Sequence, residues 1–122
     1  MPIKTKKQIK KEGRRSPCPI ACSLDIIGDR WTLLVIRDLI LGRSRFKEMI
    51  ASPEEPPTNI LTDRLNRLVA GEIVERTAAS DGTKHLAYAL TAKGRALKPV
   101  LQSMRDWGLD WIEGTEAKMT AR

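Results

Sequence analysis

The chain is 122 residues long, with 41% hydrophobic and 30% charged residues and a formal net charge of +7. That length supports one domain with an adequate but not generous core. Its longest apolar run, Leu33 to Leu41, is broken by Arg37 and Asp38; it falls short of the ~20 residues that span a bilayer, and the basic start lacks the apolar stretch of a signal peptide. The expectation is therefore a cytoplasmic protein with no membrane role.

Residues 1 to 15 hold seven basic residues (Lys4, Lys6, Lys7, Lys10, Lys11, Arg14, Arg15) against Glu12 alone, so nearly all of the net charge lies in this segment. Residues 1–16 read as a basic, disordered tail, either a solvated extension or an arm that tracks a DNA backbone. The folded domain is expected over 17–113, with 114–122 a second tail. Cys18 and Cys22 are one helical turn apart. In a cytosolic chain they do not suggest a structural disulfide, and with only His85 as a distant further ligand they are too few for zinc. They are either small apolar residues of a helix face or include a reactive thiol. Cys18 is the better candidate, because the exposed N–H groups at a helix start favour negative charge.

Cys18 to Ile27 reads as a short helix with Ile20, Leu24 and Ile27 on one side and Gly28 ending it. Trp31 to Leu41 is apolar almost all round, which predicts a helix buried by several neighbours, stopped by Gly42. Arg45 to Ala51 forms a third helix with Phe46, Met49 and Ile50 inward, and Ser52 to Pro57 a stiff loop.

From Thr58 to Ala70, Leu61, Leu65 and Leu68 recur at i, i+4 and i+7 and predict one buried face, with Thr58 as the cap and Gly71 as the left-handed stop. Ile73 and Val74 start an extended run. Asp81-Gly82 is a hairpin turn signal, and Leu86, Tyr88 and Leu90 alternate with His85, Ala87 and Ala89. Thr91 caps a last helix running from about Ala92 to Ile112. In it Leu97, Leu101, Met104, Gly108 and Trp111 form a coiled-coil-like seam, widened by Val100 and Trp107. A small domain has little use for a second apolar stripe, so this surface suggests a partner subunit. The order helix, loop, helix, hairpin, helix is that of a winged helix-turn-helix: a mainly α fold with a small β-hairpin and N- and C-terminal dimerisation helices.

Cys18-Pro19, Leu24, Ile27-Gly28, Trp31, Arg45-Phe46, Leu61-Thr62, Arg64-Leu65, Leu68, Gly71, Val74 and Tyr88-x-Leu90-Thr91-x-x-Gly94 together resemble the HxlR family of bacterial and archaeal transcription regulators, relatives of the MarR winged-helix proteins. The resemblance runs from about Cys18 to Trp111. It implies a homodimer built from the first and last helices, one winged helix per subunit, and a DNA half-site for each. In some members of that family the cysteine at the position of Cys18 senses electrophiles or oxidants. The additional Cys22, the acidic, proline-rich 52–57 loop and the long basic tail depart from its usual pattern.

On this reading the 58–70 helix enters the major groove of double-stranded DNA and presents Thr58, Asn59, Thr62, Asp63, Asn66 and Arg67. Asn59 suits adenine, Thr62 a thymine methyl, Asp63 a cytosine amino group, and Arg67 guanine or a phosphate. Arg64 lies nearer the core edge, where bracing the fold through a carboxylate competes with touching DNA. Thr83 and Lys84 at the wing tip, with Arg43, Arg45 and Lys47 before and within the third helix, are placed for backbone contacts. The expected dimer interface is Leu24, Leu97, Leu101, Met104, Trp107, Gly108 and Trp111. The glycines are scattered singly and the one histidine has no evident nucleophile partner, so no enzyme, cofactor or metal is expected. A small-molecule or electrophile effector is the further partner the resemblance suggests. The competing reading is a non-specific nucleic-acid or protein-interaction module driven by the basic tail.

Overall fold

The computed structural model describes residues 16–78 and 86–116. In chain order these form α1 (Pro19–Ile27), α2 (Thr32–Ile40), α3 (Phe46–Ile50), α4 (Thr58–Ala70), β1 (Val74–Ala78), β2 (Leu86–Leu90), α5 (Ala92–Arg95) and α6 (Lys98–Trp111). The wing-tip residues Asp81 to Lys84 and His85, with most of both expected tails, lie outside the described residues.

The core is built from one face each of α2, α3 and α4 and closed by the hairpin and the start of α6. Val35 and Ile36 of α2, Met49 of α3, Leu61, Leu65 and Leu68 of α4, Ile73 and Val74 at the start of β1, and Leu101 of α6 form a single buried cluster. The i, i+4, i+7 leucines of α4 are thus all inward. Gly42, at φ +95°, reverses the chain after α2 in the left-handed region where a side chain is disfavoured. The hairpin pairs antiparallel from Val74 opposite Leu90 to Ala78 opposite Leu86. The Tyr88 N–H donates to the Ser44 carbonyl at 2.8 Å, which ties the segment before α3 to the free edge of β2.

Asp38 is a buried carboxylate of α2. Arg37 and Arg43 donate to its Oδ1 at 2.9 and 3.0 Å, and Arg37 also holds Glu54 of the 52–57 loop at 2.6 Å. These charge-assisted bonds compensate the burial of Asp38 and fasten the loop that leads into α4.

Three local expectations are corrected. The cap of α4 is Pro57, not Thr58: its φ of −60° and ψ of 145° supply the extended entry, and its carbonyl accepts from the Leu61 N–H at 2.9 Å. Thr58 is already the first helical residue. At the other end Gly71 has φ −85°, and the left-handed position is Glu72, at φ +61°. Ile73 N–H bonds the Leu68 carbonyl and Glu72 N–H that of Val69, so the stop is a Schellman motif shifted by one residue. Finally, the long last helix is two. Pro99 has no N–H for the Arg95 carbonyl and its ring crowds that turn, so the chain breaks at Ala96-Leu97 and restarts with Pro99 in the first turn of α6.

The break changes what the seam does. Leu101 is buried in the subunit's own core and Leu97 packs against it, so neither lies on the open face where an interface was expected. The outward stripe of α6 is instead Val100, Met104, Trp107 and Trp111 at i, i+4, i+7 and i+11. Trp107 is 61% and Trp111 74% exposed. Ile20 and Leu24 of α1 are exposed as well.

Candidate nucleic-acid interface

Burying Leu61, Leu65 and Leu68 turns the opposite face of α4 outward. Thr58, Asn59, Thr62, Asn66 and Arg67 are exposed on it, while Asp63 and Arg64 are half-buried at its margin. Three of the polar residues, Asn59, Thr62 and Asn66, follow the i, i+3, i+7 spacing of one helical stripe. No apolar side chain interrupts that stripe, so water covers it in the free subunit at little cost and a groove can replace the water.

The charged margin is organised. Arg64 donates from Nε to Asp29, in the turn between α1 and α2, and from Nη1 to Asp63. Arg67 reaches the same Asp63 carboxylate at 3.0 Å. Asp63, expected to read a cytosine, is therefore already held by two guanidinium groups, and Arg64 takes the bracing role. Asp29 also caps α2, its Oδ1 accepting from the Thr32 N–H at 3.2 Å. Partial burial pushes the Asp29 carboxyl upward, but the bonds from Thr32 and Arg64 outweigh it and hold the group below its ordinary value. One carboxylate thus caps α2 and fastens the middle of α4.

Beside α4 lies a cleft of about 620 Å³ lined by Arg45, Lys47, Thr62, Asn66, Leu86 and Tyr88, among others. It brings Arg45 and Lys47 next to the exposed face, as the sequence suggested. Arg43 points elsewhere, into the buried Asp38. Thr83 and Lys84 fall outside the described residues. Sequence reasoning missed Arg76 of β1, whose Nη2 donates to Asn66 Oδ1 at 2.6 Å. The signal was available in the strand period: Val74 is inward, so Arg76, two residues on, shares its face and lies toward α4.

At the N-terminal end Cys18 is exposed and occupies the cap position of α1, with Pro19 first in the helix. Cys22 is half-buried, and its thiol donates to the Ser16 carbonyl at 3.0 Å. Both thiols are free.

A buried helix–loop–helix, an exposed polar stripe on its second helix and an adjoining hairpin define a winged helix of the DNA-reading class. The HxlR-like helix-turn-helix family model matches residues 26–116, and the chain belongs to that family of transcriptional regulators. It is 34% identical over 96 residues to sll1512 of Synechocystis, an uncharacterised HTH-type transcriptional regulator, covering 79% of this chain and 71% of the other. It is 35% identical over 97 residues to the transcriptional regulator YodB of Bacillus subtilis, covering 79% and 87%. Reduced YodB superposes with a TM-score of 0.66 at 33% identity, over 83% of this chain and all of that one. YodB has also been solved in diamide-treated and quinone-bound forms. The structure of PA1607 matches with a TM-score of 0.78 and 38% identity, over 89% and 78% of the two chains. These relatives are transcription regulators rather than enzymes. Among the described residues no helix is long and apolar enough to cross a membrane.

Proposed function

We propose that the protein is a homodimeric, sequence-specific regulator that reads an inverted-repeat operator with α4 in the major groove and the hairpin on the flanking backbone. The observation that carries this reading is the uninterrupted polar stripe Asn59, Thr62, Asn66 on a helix whose other face is wholly buried. A two-fold dimer sets two such helices about 34 Å apart, one turn of DNA, so each half-site meets the same side chains. Binding to the protein's own promoter region is expected to exceed binding to an unrelated duplex by ~10³-fold or more at physiological salt. Asn59→Ala combined with Thr62→Ala should bring the two close together while leaving helicity unchanged. Equal wild-type affinity for both duplexes would remove the reading.

The alternative, a tail-driven binder, is favoured by the charge distribution, since the chain beyond residue 15 carries a net charge of only about +1. Deleting residues 1 to 15 separates the two. A tail-driven module loses nearly all binding and most of its salt dependence, whereas a groove reader keeps its preference for the operator.

The second part of the proposal is that Cys18 makes operator binding sensitive to electrophiles. It is the exposed thiol, it stands beside the apolar α1 surface assigned to the dimer, and YodB is a relative with a quinone-bound form. Side chains one turn apart on a helix rarely meet disulfide geometry, so Cys22 is not its natural partner. Diamide or a quinone should change operator affinity in wild type and Cys22→Ser but not in Cys18→Ser. Unchanged binding in treated wild type would leave Cys18 as a helix-start residue only.

A further inference from the structure

We infer that Arg76 sets the base preference of Asn66, making it read a hydrogen-bond acceptor edge, guanine above all, instead of adenine. The inference rests on the groove-reading function of α4 and goes one step further, to a positioning residue and the base it selects. An asparagine free to rotate its amide pairs bidentately with adenine, accepting from N6 through Oδ1 and donating to N7 through Nδ2. Asn66 is not free in this way. The Arg76 guanidinium donates to its Oδ1 at 2.6 Å, and arginine has donors only, so the atom facing it must be the amide oxygen. Turning the amide over would set two donors against each other.

With Oδ1 engaged, the open end of the side chain is the Nδ2 amino group, which carries two donors. Among the described residues no acceptor takes them. In the major groove guanine offers two adjacent acceptors, N7 and O6, and thymine offers O4. Adenine sets its own amino donor beside N7, and cytosine presents only a donor, so both confront Nδ2 with a like group. Arg76 is held in place by the strand: Val74 is anchored in the core, and Arg76 opposite Tyr88 follows on the same face. Among the described residues no ion pair competes for its guanidinium. Exposure of Asn66 and Arg76 keeps both substitutable without loss of the fold.

The test is selection of bound duplexes from a randomised pool by full-length wild type, Asn66→Ala, Arg76→Met and Arg76→Glu, with helicity and melting checked for each. Asn66→Ala identifies the operator position that this residue reads, by relaxing it. Wild type is expected to favour guanine over adenine there by about tenfold. Arg76→Met, which cannot hold the oxygen, should bring adenine to within about twofold of guanine. Arg76→Glu, which can only accept, should turn the amide over and present Oδ1, shifting the preference to adenine or cytosine. Overall affinity will also fall with the lost positive charge, but base preference at one position is not moved by charge alone. Adenine or cytosine at the Asn66 position in wild type would overturn the inference, as would a profile unchanged in Arg76→Met or no position responding to Asn66→Ala. Those outcomes leave the groove-reading function standing; a wild type that enriches no sequence overturns both.

Discussion

If the proposed dimer forms through the α6 stripe, replacing Trp107 with glutamate is expected to give a folded monomer and to weaken operator binding by about 10²- to 10⁴-fold. Trp107 is 61% exposed in the subunit, so little of the internal packing depends on it. It lies in the middle of the α6 stripe between Met104 and Trp111, both exposed, with Val100 one turn before Met104. A carboxylate at this point would have to be buried unpaired in any interface that uses the stripe, which costs several kcal/mol. The effect on DNA follows from linkage of two half-site readers. Once one subunit is seated, the second binds intramolecularly, and the avidity gained is of the order just given. Light scattering at micromolar concentration checks the first half and operator titration the second. A dimer that persists in Trp107→Glu with unchanged operator affinity would place the interface elsewhere. Met104→Glu should act in the same direction; Leu101→Glu is a different experiment, because it puts a charge into the core and unfolds the chain.

That contrast shows where sequence patterning reached its limit. Wherever a helix had a single apolar stripe, as in α4, its spacing was enough to tell inside from outside, and the exposed residues followed. The last segment offers two stripes, Leu97 and Leu101 on one side and Val100, Met104, Trp107 and Trp111 on the other. Apolar spacing alone merges them into one seam. Pro99 was the available discriminator: a helix cannot run through it unbroken, and restarting at Lys98 sets which stripe meets α2. The ends of α4 were legible to within one residue, because Thr58 and Gly71 are good capping types, yet Pro57 fills the N-cap and the left-handed turn falls on Glu72, one residue after the Gly71 C-cap. A rigid proline and a turn clamped from outside overrode the local preference. Side-chain partnerships across elements were least legible. Nothing in the local sequence pairs Asp29 with Arg64, 35 residues away; for Arg76 the strand period gives the face toward α4, but the choice of Asn66 as its partner comes only from the packed fold.

Gly94→Ala is expected to destabilise the subunit by about 2–3 kcal/mol, against the usual direction for a glycine in a helix. Gly94 lies in α5 with φ in the ordinary range, and replacing such a glycine normally gains up to about 1 kcal/mol from reduced freedom of the unfolded chain. Here the packing reverses the sign. A Cβ on Gly94 would sit 2.3 Å from the Ile73 carbonyl oxygen and 2.9 Å from Leu90 Cδ2. The first of these is backbone and cannot swing away. That backbone is also the joint between the reading helix and the wing. Thr91 Oγ1 donates to the Glu72 carbonyl at 2.6 Å, lies 3.0 Å from that of Ile73, and accepts from the Gly94 N–H; Lys93 Nζ donates to the Gly71 carbonyl. These bonds hold the left-handed Glu72 in place, so pushing α5 outward loosens the turn after α4 as well as the start of β1. For a domain of this size the loss corresponds to a melting temperature lower by about 10 °C. Gly108 provides the control. A Cβ there meets nothing within 4 Å in the subunit, so Gly108→Ala, measured in the Trp107→Glu background, should gain ~0.5–1 kcal/mol. Thermal melts of the two alanine variants in that background are expected to move in opposite directions. If Gly94→Ala also gains stability, the close approach of α5 to Ile73 does not constrain the joint.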